Sequence, residues 1–273
     1  MSNFARAALR NWIPPAAMHF LQSWFGSVRF LGDYPTWEAA KRECAGYDSD
    51  AILERVKAAS LAVKEGRAEF ERDSVLFDKI QYSWPVLASL LRIACRNEGN
   101  LHVLDFGGSL GSSYRQNRGF LSGLKSLRWS VVEQAHFVEC GQKYFQDEAL
   151  RFFPDIDSCV AYHRPNVILL SSVLNYLEHP YETLQSMIDL GIDYILIDRT
   201  PFLEGMRDRL TVQKVSERIY PASYPAWFFS REKFLTFFQG RYRLMEEFDS
   251  LDKANFPSHY LGFLLSRSDL PPR

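Results

Sequence analysis

The residues with the clearest chemical potential form one run, Val103-Leu104-Asp105-Phe106-Gly107-Gly108-Ser109-Leu110-Gly111. An acid closing an apolar strand, then a glycine-rich turn and Ser112-Ser113, puts a carboxylate at the strand's carboxyl end. Open α/β sheets bind ligands there, and glycines let the backbone approach them closely. A dinucleotide site wants Gly-x-Gly-x-x-Gly under a pyrophosphate. Ser109 breaks that pattern, and Asp105 would set a negative charge beside the phosphates. S-adenosylmethionine (SAM) carries an ammonium and a sulfonium and no phosphate, so an acid suits it. The run predicts SAM as cofactor, with Asp105, Gly107, Gly108 and Gly111 around it. One βα unit later Glu133 closes Trp129-Ser130-Val131-Val132 and is followed by Gln134. A carboxylate at that position can accept hydrogen bonds from both ribose hydroxyls.

Methyl transfer is an in-line displacement that depends on orientation, and a hydroxyl acceptor also needs a base. Asp198-Arg199-Thr200 ends a fifth apolar run. Asp198 could be that base and Arg199 could bind an anionic substrate group; the bland alternative is a structural Asp–Arg pair. His179, before Pro180, is a second candidate base because imidazole titrates near neutrality. Tyr220, Tyr224 and Trp227 cluster around Pro221 and Pro225 and could form a substrate wall or core. Arg207-Asp208-Arg209 reads as a charged loop. Asp78 and Tyr82, one turn apart, are candidates for the lid side.

The elements that must position these residues fall into two regions. Residues 1–98 read as a helical N-terminal extension or lid, with turns at Pro14-Pro15, Gly32-Asp33-Tyr34-Pro35 and Gly46-Tyr47-Asp48. Thr36 is placed to cap a helix, as is Ser83 ahead of Trp84-Pro85. Residues 99–273 read as a SAM-binding α/β domain. Leu101–Phe106, Trp129–Val132, Val167–Leu170 and Tyr194–Ile197 are continuous apolar runs that suit parallel strands buried on both faces. A weaker run lies near 151–156. Tyr242–Phe248 and Tyr260–Leu265 read as an antiparallel pair. The fold class is therefore α/β, a mostly parallel Rossmann-like sheet with an antiparallel C-terminal strand.

The net charge of −1 removes bulk electrostatic attraction to nucleic acid. Cys44, Cys95, Cys140 and Cys159 show neither a Cys-x-x-Cys pair nor His at zinc spacing, so no metal site is expected. Reduced thiols, no signal-peptide pattern and no run of 18 apolar residues point to a cytoplasmic protein. Trp12, Phe20, Leu21, Trp24, Phe25 and Phe30, with Arg6, Arg10 and Arg29, have the makings of an interfacial helix for peripheral membrane contact. Packing on the main domain or on a second subunit is the simpler account.

The motif resembles that of class I SAM-dependent methyltransferases, an apolar strand ending Asp-x-Gly-x-Gly-x-Gly. Asp105, Gly107 and Gly111 match it, and Ser109 replaces the middle glycine. The chain also resembles methyltransferase-named proteins found near bacterial polysaccharide-biosynthesis genes. That likeness runs through Glu71–Phe77, Tyr82–Pro85, Leu104–Tyr114, Val132–Gln134, Leu170–Leu174, Ile197–Phe202 and Ser223–Trp227. The resemblance implies that Ser171 touches the cofactor, that Asn175 or Tyr176 faces the substrate, and that Asp155 or Ile156 contacts adenine. It further implies a saccharide or related small-molecule acceptor in cell-envelope polysaccharide synthesis. Two other classes compete: a non-catalytic SAM-fold scaffold, and a nucleotide-sugar or NAD enzyme, which Ser109 and Asp105 disfavour.

Overall fold

The apolar runs build one sheet, whose central strands are buried on both faces. The computed structural model describes residues 28–44, 49–72, 74–215, 222–250 and 252–271. It begins with β1 (Val28–Tyr34), α1 (Trp37–Arg42), α2 (Ser49–Lys64), a hairpin of β2 (Phe70–Arg72) and β3 (Val75–Phe77), and α3 (Trp84–Arg96). Then come β4 (Asn100–Phe106), α4 (Ser112–Leu121), β5 (Ser126–Val132), α5 (Ala135–Tyr144), β6 (Leu150–Phe153) and α6 (Ile156–Tyr162). β7 (Val167–Ser171), a 3-10 turn at Leu174–Tyr176, α7 (Pro180–Asp189) and β8 (Tyr194–Leu203) follow. β9 (Arg209–Val215), β10 (Ser223–Ser230), α8 (Arg231–Thr236), β11 (Tyr242–Asp249) and β12 (His259–Arg267) complete it.

The central strands run in the order β6-β5-β4-β7-β8, all parallel. β12 then pairs antiparallel with β8, and β11 with β12. This is the mostly parallel sheet with an antiparallel C-terminal end that the sequence predicts. Successive side chains on a strand face opposite ways. Val103, Leu169 and Leu196 accordingly join one core layer, with α3, α4 and α5 residues such as Leu90, Ile93, Leu121 and Phe137. Leu104, Ile168, Ile195 and Ile197 join the other, with Leu184, Ile188 and Phe234 of α7 and α8. Strands covered on both faces in this way account for the unbroken apolar runs.

β8 is longer than its parallel neighbours, and its edges are shared. β12 occupies one edge from Tyr194 to Phe202. On the other edge β7 pairs with Tyr194–Asp198, and beyond it Phe202 and Leu203 pair with Phe229 and Ser230 of β10. β10 pairs antiparallel with β9, and β9 with β1. A three-stranded flap is thereby carried past the carboxyl ends of the parallel strands.

Two expectations are corrected here. Residues 28–34, read as part of a helical extension, form β1, because their partner β9 lies far along the chain and leaves no local signal. Residues 70–77 form a hairpin whose three-residue strands are too short for a periodic pattern. Arg209 opens β9, and Asp208 is a brace that accepts from Ser230 N (2.7 Å) and Lys233 Nζ (2.5 Å). Thr36 caps α1, its hydroxyl accepting from Ala39 N (3.2 Å), whereas Ser83 makes no side-chain cap. The expected N-terminal aromatic segment before Val28 and Tyr220 lie outside the described residues. Among the described residues no helix is long and apolar enough to cross a membrane.

At the amino-end edge of the sheet Arg128 Nη1 lies 3.0 Å from His163 Nδ1. A guanidinium only donates, so His163 Nε2 carries the proton shared with His102 Nδ1 at 2.6 Å, and His102 Nε2 faces Ser126 Oγ at 3.2 Å. Burial, then the His163 and Arg128 charges, push the His102 pKa down to about 4; burial and Arg128 also lower that of His163. Between pH 6.5 and about 4 the unfolded chain therefore binds protons that the folded chain refuses, and stability falls as pH falls. Urea titrations at pH 7 and pH 5 are expected to show a loss that is smaller in His102→Gln. An equal loss in both proteins would move the acid sensitivity elsewhere.

Candidate ligand crevice

The crevice starts at the carboxyl end of β4. Asp105 is only 1% exposed and its Oδ2 accepts from Trp129 Nε1 at 2.8 Å. The carboxylate lies directly against Gly108, where an added Cβ would stand 2.5 Å from its Cγ and Oδ2. Gly107 has φ +71 and an added Cβ there would meet Val173 Cγ2 at 2.5 Å. These two positions exclude side chains for different reasons: one seats the carboxylate, the other turns the chain under a neighbouring loop. Burial raises the Asp105 pKa to about 7, against the lowering effect of the Trp129 hydrogen bond, with the Glu133 charge adding to the rise. Burial likewise raises that of Glu133, whose Oε2 accepts from Gln134 N at 2.8 Å and which also accepts from the Ser109 backbone.

Two lobes meet at Gly107, Glu133, Gln134 and Ser172. The larger, about 600 Å³, is mainly apolar, with Phe106, Val132, Pro154, Val173 and Leu177 on the parallel-sheet side and Trp37, Tyr224 and Pro225 opposite. The smaller, about 240 Å³, is polar and includes Glu71, Arg72, Asp105, Ser109, Ser112 and Ser171. Its backbone is unusual. Ser74, Ser109, Ser172 and Arg199 all line it with positive φ, leaving Glu98 as the only other such non-glycine residue among those described. Left-handed non-glycine residues cost energy and gather where a site fixes the chain. Glu71 is only 3% exposed and accepts from the Ser112 hydroxyl at the first turn of α4. A carboxylate thus stands where a dinucleotide fold would bind its phosphates.

Beside the polar lobe, Asp198 accepts from Ser250 Oγ (2.9 Å) and Ser171 Oγ (3.3 Å), and burial raises its pKa. Arg199 is held by Asp252 (Nε to Oδ2, 2.5 Å) and by Ser250 Oγ, which accepts from its backbone N–H (3.1 Å). The reading of Asp198 at a strand end is adjusted, because β8 runs on to Leu203.

The structure thus brings Asp105, Gly107, Gly108, Glu133, Gln134, Ser171, Tyr176, Asp198, Arg199 and Tyr224 to one crevice and its margin. Other expectations do not converge there. Gly111 packs under Leu150, whose Cδ2 an added Cβ would meet at 2.9 Å, and it lines neither lobe. His179 precedes α7 with its side chain 64% exposed, 3.7 and 3.6 Å from Glu178 and Glu182 carboxylates, so it contacts the α7 surface instead of the crevice. Asn175 is fully buried, because the 3-10 turn points Tyr176 outward and Asn175 inward. Tyr176 OH donates to Gln213 Oε1 (2.9 Å), and Gln213 Nε2 donates to Tyr224 OH (3.0 Å). Trp227 donates to Leu177 O (3.1 Å) and stacks on Trp37, so it supports the wall from behind. Asp155 caps α6 through Ser158 N (2.7 Å), and the residue lining the apolar lobe is Pro154. Sequence reasoning missed Glu71 and Arg72, which the shared string around them could have flagged, and Trp37 and Trp129, which it could not.

No protein-family model matches the sequence, and no curated protein matches it. Solved structures with a similar course of the chain include the N-terminal domain of EvdMO1, in the presence of S-adenosylhomocysteine (SAH) and D-fucose. It is 10% identical, with 81% of this chain and 97% of that one covered and a TM-score of 0.44. The N-methyltransferase NodS from Bradyrhizobium japonicum WM9 with SAH is 12% identical over 80% and 97%, TM-score 0.44. Magnesium protoporphyrin IX methyltransferase (ChlM) from Synechocystis PCC 6803 with SAM is 12% identical over 82% and 99%, TM-score 0.43. These are weak likenesses of shape.

The Asp105 pKa has a consequence for stability. Between pH 3.8 and about 7 the folded protein holds a proton that the unfolded chain has released, so this group favours the folded state less as pH rises through 7. Asp105→Asn is expected to raise the thermal midpoint at pH 8 by about 3 °C or more, and to change it little at pH 5. A midpoint lowered equally at both values would show a carboxylate fully compensated by Trp129.

Proposed function

We propose that the protein is a SAM-dependent methyltransferase. The observation that carries this reading is the two-lobed crevice, apolar on one side of Gly107 and Glu133 and lined with carboxylates on the other. The apolar lobe is wide enough for an adenine between Phe106, Val132, Pro154 and Val173. Glu133 stands where the lobes join, in reach of a ribose. Asp105, Glu71 and Arg72 give the polar lobe charges of both signs, suited to a zwitterion and a sulfonium. Glu71 at the start of α4 disfavours a pyrophosphate, hence the dinucleotide and nucleotide-sugar readings.

When bound, SAM supplies an electrophilic methyl group: the acceptor oxygen forms the new bond to carbon, the carbon–sulfur pair stays on sulfur, and the acceptor proton passes to a base. Asp198 is that base. Burial raises its pKa, which makes it a stronger base than a solvated carboxylate. Ser171 and Ser250 hold it in place, and Arg199, fixed by Asp252, sets a positive charge at the same wall. The acceptor is a saccharide or related small metabolite of cell-envelope polysaccharide synthesis in the cytoplasm, a reading that rests on the strings shared with that family. A second reading, a non-catalytic SAM-fold scaffold, draws on one observation: both Asp198 oxygens already accept hydrogen bonds.

Calorimetric titration with SAH, NAD and a UDP-sugar tests the cofactor, and SAH is expected to bind most tightly. Gly107→Val should weaken SAH at least tenfold, about 1.4 kcal/mol, because the new side chain strikes Val173 and is strained at φ +71. Tighter binding of NAD would overturn the reading. Asp198→Asn should keep SAH affinity and slow labelled methyl transfer into a cell-envelope extract by about a hundredfold. Binding of SAH by the wild-type protein with no transfer in such extracts would favour the scaffold.

A further inference from the structure

Past Arg72, Ser112, Ser113, Ser171 and Arg199 the polar lobe continues into a cleft of about 50 Å³ that Phe70, Gln81, Ser83, Gln116 and Asp198 also line. A water needs about 10–15 Å³ of such volume, so the cleft admits only a few non-hydrogen atoms. Only one narrow arm of an acceptor can reach Asp198. The body that carries the arm must stay outside.

Aromatic rings stand on the segments that supply these lining residues. Tyr82 lies between the wall residues Gln81 and Ser83, and Phe120 stands one turn beyond Gln116 on the same face of α4. The Gln116 side-chain amide donates to the Gln81 carbonyl and ties these two segments together. The Tyr82 and Trp84 ring centroids are 4.9 Å apart at 32°, and Phe120 meets them edge-on at 5.2 and 5.7 Å. Trp84 is nonetheless 59% exposed and Phe120 49%. Their surroundings are polar, with Asp78, Lys79 and Gln81 exposed beside them. An aromatic surface set among amides, hydroxyls and charges is complementary to a ring with a C–H face and hydroxylated edges. A pyranose is such a ring: its axial C–H bonds meet the negative face of an arene, its edge hydroxyls pair with amides, and its exocyclic hydroxymethyl group is one narrow arm.

We infer that Tyr82, Trp84 and Phe120 form a platform for the sugar ring of the acceptor, whose hydroxymethyl arm enters the cleft toward Asp198. This rests on the methyltransferase reading for its role, though not for its chemistry. It places the sugar-facing aromatics on the hairpin side of the crevice instead of at Tyr224 and Trp227, which line or back the apolar lobe.

The experiment is a glycan-array measurement with the labelled full chain in the presence of SAH, comparing wild type, Trp84→Ala and Trp84→Phe. SAH affinity and thermal midpoint are measured on the same samples. Binding to a set of pyranosides is expected, at least tenfold weaker in Trp84→Ala and within about threefold of wild type in Trp84→Phe. SAH affinity and midpoint should be unchanged, because the residue is exposed and lies off the cofactor lobes. The platform is overturned when a protein that binds SAH binds no glycan, or when Trp84→Ala binds glycans like wild type. It is equally overturned when phenolic alcohols or anionic phospholipid vesicles, run in parallel, are retained through Trp84 and glycans are not. Glycan binding lost in Trp84→Ala without any SAH binding would sink the methyltransferase reading and leave the platform standing.

Discussion

The crevice depends on one buried contact, the Trp129 indole donating to Asp105. A carboxylate buried to this degree costs several kcal/mol unless it is paired or protonated. Here one neutral donor shares the load with a raised pKa. The donor comes from the adjacent parallel strand, in register through Val103 opposite Trp129 and Asp105 opposite Val131. The β4–β5 register and the Asp105 position are therefore one constraint. Gly108 completes it, since no side chain fits between the turn and the carboxylate. The result is a fixed, poorly compensated acid that a bound cation would satisfy, which is why electrostatics and not packing dominates the polar lobe.

The other half of the crevice rests on backbone shape. β8 gives one edge first to β7 and then to β10, so the flap is seated over strand ends without breaking the parallel core. Asp198 pairs with Ser171, the last β7 residue, and the same extension carries Arg199 past it. Arg199, with φ +52, lets the strand change course there while its guanidinium is held by Asp252.

What the sequence made legible was local. The runs of β4, β5, β7 and β8 are apolar on both faces, and the turn after Asp105 needs glycine, so both could be read without tertiary information. The antiparallel tail was legible as two strand-like runs joined by a loop, of which β12 is buried almost throughout and β11 is only partly buried. Glu71 and Arg72 sit on the three-residue strand β2, which has no periodic signal, and reach the site only because the hairpin folds over α4. Trp129 read as core and is core, yet its N–H is what seats Asp105. Asn175 and Tyr176 could not be ranked from composition, because the phase of a single 3-10 turn decides which of them faces the crevice. The expectation for His179 failed because adjacency in sequence to the β7 loop does not survive the start of α7.

The pairing of β1 with β9 also bears on the order in which the molecule can assemble. Val28 finds its partner in Val215, and Tyr34 finds Leu210, so about two thirds of the 273-residue chain separates the two edges. Contacts that close so long a loop carry a large entropic cost and come late. During synthesis the amino-terminal strand has no sheet to join until the ribosome has passed residue 215. β4 through β8 precede β9 along the chain and can pair among themselves before it emerges. The roof of the crevice is thus completed after its floor, and a nascent chain stopped short of β9 exposes an unpartnered strand edge.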